Sequence, residues 1–394
     1  MLFPFLKPML RCICVLLAVL PLAGCWSKEE FNDRAFVTLM LVDRTPSGLT
    51  ELSIGFFLPN RLAPGQGQPM SKEKPFALVN RTGRDLAEAY QHVQKEVPRK
   101  VTWGALRVII VSGAYAEHGL QPLLDFILRI SDIRLKAFLY QINGKAQKVG
   151  GITPIFERFP SEIIREFSHM ELLPCTTIKD VLYAHYNYGD SFIPQLSLTD
   201  KKMNSENQKV GSWLGTKGAV LIRNGKQTAE FTREQTRGIQ WMTEKVKNMI
   251  LTFASPTDGK PISIRIANLK QTLTIEQADD RIDVHIGIQS AGDLISTESS
   301  ANLSDLTVLT QIQQAAADQI KTETMDVLKQ TIAHHADLFH IGNQILWKYP
   351  ELWKRIKDHW RDYYAEHTDF HAEVELRLQR FGGIKQPVLE GDQG

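Results

Sequence analysis

Apolar and polar positions follow three patterns in separate parts of the chain: alternation, unbroken runs and helical spacing. Phe36 to Val42 and Leu49 to Leu58 read as two strands with a turn at Pro46-Ser47-Gly48. Pro59 to Pro75 reads as a loop around Gly65, Gly67 and Pro69. A phosphate cradle there would need a strand before it and a helix after it, and Pro64 and Pro69 argue against both. From Gly83 the spacing predicts a helix carrying Leu86, Tyr90, Val93 and Val97, which Pro98 ends. Leu106 to Val111 is a buried strand, followed by a helix through Leu120 to Ile130 and a strand over Lys136 to Ile142. Alternating strands and helices put the first half in the α/β or α+β class.

Polar residues crowd Asp200 to Lys209 and break the periodicity there, which suggests a domain boundary near residue 205. Gly215 to Arg223 then reads as a strand, Asn224-Gly225 as a tight hairpin turn, and Thr232 to Leu251 as a helix. Turn formers from Ser255 to Pro261 suggest a second boundary near residue 258. Beyond it Ile262, Ile264 and Ile266 share one strand face, and Ile282, Val284, Ile286 and Ile288 share another. A helical region runs from Asp305 to about Leu338, and Leu352, Ile356 and Trp360 form a helical stripe. Phe370, Ala372, Val374, Leu376 and Leu378 alternate with polar residues, as in a strand with one wet face. The last third therefore reads as antiparallel.

The first residues have the parts of a secretion signal: Lys7 and Arg11, then the apolar run Cys12 to Leu22, then Leu22-Ala23-Gly24-Cys25. The run is shorter than the ~20 apolar residues a membrane span needs. The last four residues resemble a bacterial lipobox, which implies cleavage after Gly24 and a lipid on Cys25. A diacylglyceryl group supplies two chains, enough for stable anchoring. Residues 1–24 are then the signal, and 25–205, 206–258 and 259–390 an N-terminal, a small middle and a C-terminal domain.

Composition narrows the function. Losing Lys7 and Arg11 lowers the basic residues from 46 to 44, against 44 acidic ones, so the mature chain is near neutral. No basic patch interleaved with aromatics appears, and nucleic acid is not expected as a partner. Cys12 and Cys14 leave with the signal and Cys25 is lipidated, which leaves Cys175 as one free thiol and no internal disulfide.

Catalytic signatures are absent from the sequence: it has no nucleophile elbow, no phosphate loop, no paired-histidine zinc helix and no paired-cysteine spacing. His334, His335, His340, His359, His367 and His371 gather in the last third, but adjacent helical residues diverge by ~100° and share a metal poorly. They read as a solvated surface, Glu29-Glu30 and Asp279-Asp280 as solvated acids, and Cys175 as a partly buried structural thiol. Trp347, Tyr349, Trp353, Trp360, Tyr363 and Tyr364 read as core, with Tyr363 and Tyr364 the two most suited to an interface.

Taken together, several blocks resemble the Ger(x)C lipoproteins, the C subunits of nutrient germinant receptors in spore-forming bacteria. They are Gly24 to Val37 (GCWSKEEFNDRAFV), Gly83 to Gly113, Leu123 to Arg134, Lys217 to Met242, Ala336 to Trp360, and Val374 to Ile384. The blocks keep the family's order over essentially the whole mature chain. Ser27 stands where the family often has Asp, and His340 interrupts a Phe-Gly-Phe-Gly-like segment of which Phe339 and Gly342 remain. The resemblance implies an α+β fold in three domains, with mixed or antiparallel sheets flanked by helices. It also implies no catalytic site and no cofactor. Its partners would be two polytopic membrane proteins, the A and B subunits, and its location the outer face of the spore's inner membrane. The expected role is a non-enzymatic, lipid-anchored receptor subunit needed for nutrient germination. A lipid-anchored solute-binding protein with two similar lobes is the first alternative, and a hydrolase of cell-wall material the second.

Overall fold

A computed structural model describes residues 33–58, 74–152, 157, 159–171, 174–203, 209–244, 246 and 249–380. Gly24, Cys25, Glu29-Glu30 and the loop from Pro59 lie outside the described residues.

The first sheet begins with β1 (Arg34–Arg44), β2 (Thr50–Phe57) and β3 (Phe76–Gly83), an antiparallel meander. The β1–β2 turn closes at Gly48, whose φ of +84° lies in the left-handed region that favours glycine. Helix α1 (Leu86–Glu96) starts where the Asp85 carboxylate accepts from the Glu88 N–H at 2.8 Å, and stops just before Pro98. Then follow β4 (Lys100–Thr102), β5 (Val108–Ser112), α2 (Gly113–His118), α3 (Gln121–Arg129) and β6 (Phe138–Ile142). After a 3-10 turn at Ala146–Gly151 come α4 (Pro160–His169), α5 (Ile178–Tyr186), β7 (Ser191–Met203), β8 (Lys209–Arg223) and β9 (Lys226–Phe231).

The strand order is β3-β2-β1-β5-β6-β7-β8-β9, with β4 paired to β1. Strands β1, β5, β6 and β7 run parallel, which requires helical crossovers and buries both sheet faces. That is why Val108–Val111 is apolar without alternation. Met40, Val42, Ile109 and Val111 pack under α1, α2, α3 and α5, while Leu39, Leu41, Val108 and Ile110 pack on the face covered by the 3-10 turn and α4.

The second sheet comprises β10 (Ile250–Ala254), β11 (Pro261–Ala278), β12 (Arg281–Thr297) and β13 (Thr368–Arg380), in that order. Strands β10 to β12 are antiparallel, but β13 pairs with β12 in parallel. The antiparallel reading of the last third thus fails at its final strand, because the return is made by a helical crossover instead of a hairpin. Helices α6 (Arg233–Thr243), α7 (Leu306–Ala333), α8 (Ile341–Lys348), α9 (Pro350–Ile356) and α10 (Trp360–His367) cover one face. The predicted isoleucine rows of β11 and β12 all point into that core.

Three other expectations are corrected. The helix from Thr232 ends at Thr243, not Leu251: Glu244 takes a left-handed φ of +56°, and Ile250 and Leu251 pair with Arg265 and Ile264 as an edge strand. The stripe Leu352, Ile356, Trp360 is buried but spans two helices and a 3-10 turn at Lys357–His359. Of the polar stretch, Asp200 to Met203 pair with Lys209 to Ser212 as neighbouring antiparallel strands, Asp200 opposite Ser212 and Met203 opposite Lys209. The first sheet therefore runs across residue 205 and on to Phe231. The segment after 206 is shared, since β8 and β9 complete the first sheet while α6 packs on α7. The resulting fold is α+β. Its sheets, of nine and four described strands, differ in topology, unlike the paired lobes that the solute-binding alternative expects.

Candidate functional site

Polar groups converge where β7 meets α8 and α10, the place at which the two sheets are joined. Asp190, just before β7, is 2% exposed. Its backbone N–H donates to the Asp337 carbonyl at 2.9 Å. Its carboxylate accepts from Arg361 Nη2 at 2.9 Å and Nε at 3.2 Å, and from the Asn224 N–H at 3.2 Å. A two-pronged guanidinium fixes direction as well as distance, so α10 holds the first sheet by its β7 end.

Asp337 is fully buried. Its carboxylate accepts from the Ile341 and Gly342 N–H groups, each at 2.8 Å, and from Trp360 Nε1 at 3.2 Å. Those amides are the unpaired donors at the start of α8, so Asp337 caps a helix that His340, the residue in the capping position, does not cap. Burial pushes the Asp337 carboxyl up to about 6, against the downward pull of the two amides, and the nearby Asp190 charge adds to the rise.

His340 has a φ of +57°. Its ring meets Tyr183 edge-on at 5.1 Å, and a Cβ added to Gly189 would lie 2.4 Å from His340 Nδ1. Glycine at 189 is therefore required by the close approach. Burial lowers the His340 pKa, more than Asp190 and Asp180 raise it, and its Nδ1 has no hydrogen-bond partner among the described residues. Tyr183 in turn accepts from Asn343 Nδ2 at 2.7 Å. Gly342 packs against the rings of Trp360 and Trp353, where a Cβ would come within 2.7 Å of Trp360 Nε1.

Two cavities flank this junction. One of about 340 Å³ is lined by Asp190, His340, Thr176, Asp180 and Gln344, the other, of about 250 Å³, by Asp190, Arg361, His185 and Tyr188. The Asp190 and Asp337 carboxylates are committed to structural bonds, so what the cluster does chemically is hold two sheets in one relation.

The other singled-out residues lie apart. His335 bonds Asp362 at 2.9 Å, His367 stacks on Tyr363 at 4.5 Å, and His371 stacks on His285 while bonding Asp283 at 3.2 Å. No three metal-ligating groups converge among the described residues. Cys175 is partly buried, with its Sγ 3.3 Å from the Ser168 carbonyl. Tyr363 and Tyr364 are buried, Tyr364 bonding Thr331 at 2.7 Å, and the exposed member of the aromatic group is Trp347, 74% accessible. Asp190, Asp337 and Arg361 carried no local signature, because their partners are remote in sequence.

Two families match this chain. One described as "Spore germination protein N-terminal domain" covers residues 27–198, and one described as "Spore germination B3/ GerAC like, C-terminal" covers residues 216–382. Asp190 falls in the first stretch, and Asp337, His340 and Arg361 in the second. Among relatives from Bacillus subtilis (strain 168), "Spore germination protein KC" is 23% identical over 407 residues, spanning 96% of this chain and 97% of that protein. "Spore germination protein B3" is 22% identical over 384 residues, spanning 93% and 96%. The solved structure "Crystal Structure of the GerBC protein" shares the fold at a TM-score of 0.53 and 15% identity, over 86% of this chain and 96% of that one.

Proposed function

The chain belongs to the Ger(x)C family of spore germination proteins, and on that footing we propose that it is a non-enzymatic, lipid-anchored subunit of a nutrient germinant receptor. The observation that carries this reading is the succession of both family domains behind a lipobox in one chain. In this reading the signal is cut after Gly24, and Cys25 receives a diacylglyceryl group on sulfur and an acyl group on its new amine. The folded body then lies on the outer face of the spore's inner membrane. No helix among the described residues is long and apolar enough to cross a membrane.

The partners are two polytopic membrane subunits, and the protein's part is to hold surfaces of both sheets against them. The Asp190–Arg361 clamp supports this role, since a displacement at one sheet is passed to the other through a buried ion pair and not through a linker. Replacing Cys25 with Ala is expected to move the protein from the membrane fraction to the soluble one and to abolish germination with nutrients. Retention in the membrane with normal germination would overturn the reading. Calorimetric titration with amino acids and sugars checks the solute-binding alternative, which requires saturable heat.

A further inference from the structure

Parallel pairing gathers the N-terminal ends of β1, β4, β5 and β6 at one end of the first sheet: Arg34 stands opposite Lys100, Leu39 opposite Val108, and Val108 opposite Phe138. The residues that lead into these strands are mostly basic, namely Arg34, Arg99, Lys100, Arg107, Arg134 and Lys136, against Asp33 and Asp132. At the other end of β1 and β2 stand Asp43 and Glu51. Within the basic end is a cavity of about 560 Å³, in the size range of small-molecule sites. Three arginines line it, Arg99, Arg107 and Arg165, together with three phenylalanines, Phe36, Phe57 and Phe159. Glu162 is the one carboxylate in the lining.

The arginines are poorly neutralised. Arg99 and Arg107 are exposed and form no ion pair with any described residue. Arg165 gives one nitrogen to Glu166 at 3.0 Å, while its buried Nε has no partner. Planar guanidinium groups match the oxygens of a phosphate better than a point charge does, and aromatic rings beside them suit the apolar part of an amphiphile. Phe36 follows Cys25 by eleven residues, so an extended chain keeps the two within about 40 Å.

We propose that this cavity binds the headgroup phosphate of an anionic phospholipid from the membrane that holds Cys25, with the phenylalanines against the glycerol and first acyl carbons. The proposal rests on the anchored reading of Cys25 for its source of lipid. Phosphate bound here would set the orientation of the first sheet on the bilayer by giving it a second point of attachment besides Cys25.

The test is calorimetric titration of the mature chain bearing Cys25→Ser, which leaves the folded residues untouched. Dioctanoyl phosphatidylglycerol below its micelle concentration should bind saturably, and dioctanoyl phosphatidylcholine should bind at least tenfold more weakly. Arg99→Gln with Arg107→Gln should weaken phosphatidylglycerol binding by at least tenfold, with an unchanged circular dichroism spectrum and melting temperature. Should that pair fold poorly, Arg99→Lys with Arg107→Lys keeps the charge, loses the fork and should weaken binding severalfold. Arg134→Gln with Lys136→Gln, at the same sheet end but outside the cavity, should change it less than twofold.

Equal weakening by both glutamine pairs would mean diffuse surface charge and overturn the site. Displacement by equimolar inorganic phosphate would mean a free-anion site and overturn the lipid, as would no binding at all. The anchor is judged separately: a natural protein whose mass shows no acyl group on Cys25 ends the tethered reading, while the titration still decides the cavity.

Discussion

At Asp337 the cost of burying a charge is set against two backbone amides and an indole N–H, and desolvation wins. Its pKa in the folded protein, about 6, stands above the 3.8 of an ordinary aspartate. Between those values the folded state holds the proton more firmly than the unfolded chain does. The stabilisation from this group is therefore complete in acid and is lost as pH rises through about 6. In Asp337→Asn, which has no proton to lose, the contribution disappears. Urea unfolding across a pH series should show the wild-type-minus-variant difference falling between pH 4 and 6 and levelling above; a constant difference would mean that the carboxyl titrates normally. His340 shows what was legible at this scale and what was not. Its departure from a Phe-Gly-Phe-Gly-like segment is visible in the sequence. The cost of that departure is not, because only the backbone reveals a left-handed φ of +57° where glycine would be unstrained.

Between elements, the contact of α6 with α7 depends on one buried carboxylate. Glu323 accepts from Arg237 Nε at 3.0 Å, Trp241 Nε1 at 2.9 Å and Gln319 Nε2 at 3.1 Å. The helices come so close that a Cβ on Gly238 would lie 2.3 Å from the Glu323 carbonyl oxygen. Glu323→Ala would leave a half-buried guanidinium and an indole N–H without their acceptor, and should cost about 3–5 kcal/mol in denaturant unfolding. A loss under about 1 kcal/mol would show that the carboxylate is dispensable. Elements with strong, uninterrupted patterns were legible: β1, β2, α1, and the isoleucine rows of β11 and β12. Strand β10 was not, because Ile250 and Leu251 also suit a helix, and only pairing with β11 decides between the two. Tyr363 and Trp347 were misjudged for the same kind of reason. The Tyr363 hydroxyl donates to the Asp280 carbonyl at 2.9 Å in the β11–β12 turn, a contact that spacing along α10 does not reveal.

On the scale of the whole molecule, Arg361 and Asp190 make two families' worth of structure behave as one body. Arg361→Gln would strand a carboxylate that is 2% exposed, and breaking such a pair from one side costs about 3–5 kcal/mol. The expected result is a calorimetric unfolding trace that splits into two transitions, one for each sheet. A single transition at the wild-type temperature would mean that the apolar contacts around α6 already suffice. The sequence carried the α+β class. It did not carry the layout of the sheets, since a polar stretch at 200–209 looks the same in a linker and in paired strands.

The parallel return of β13 has a consequence for how the protein is made. Thr368 meets Ile282 at a separation of 86 positions in sequence, so this pairing closes one of the longest loops in the fold and is slow to form. A chain made N-terminus first has all of the first sheet synthesised before β13 emerges. Until then β12 presents an open edge, and the pockets that β13 fills stand empty. Production of this protein should accordingly lean on whatever shields exposed strands until the chain is complete, and truncations near Thr368 should be cleared as misfolded rather than persist as shortened chains.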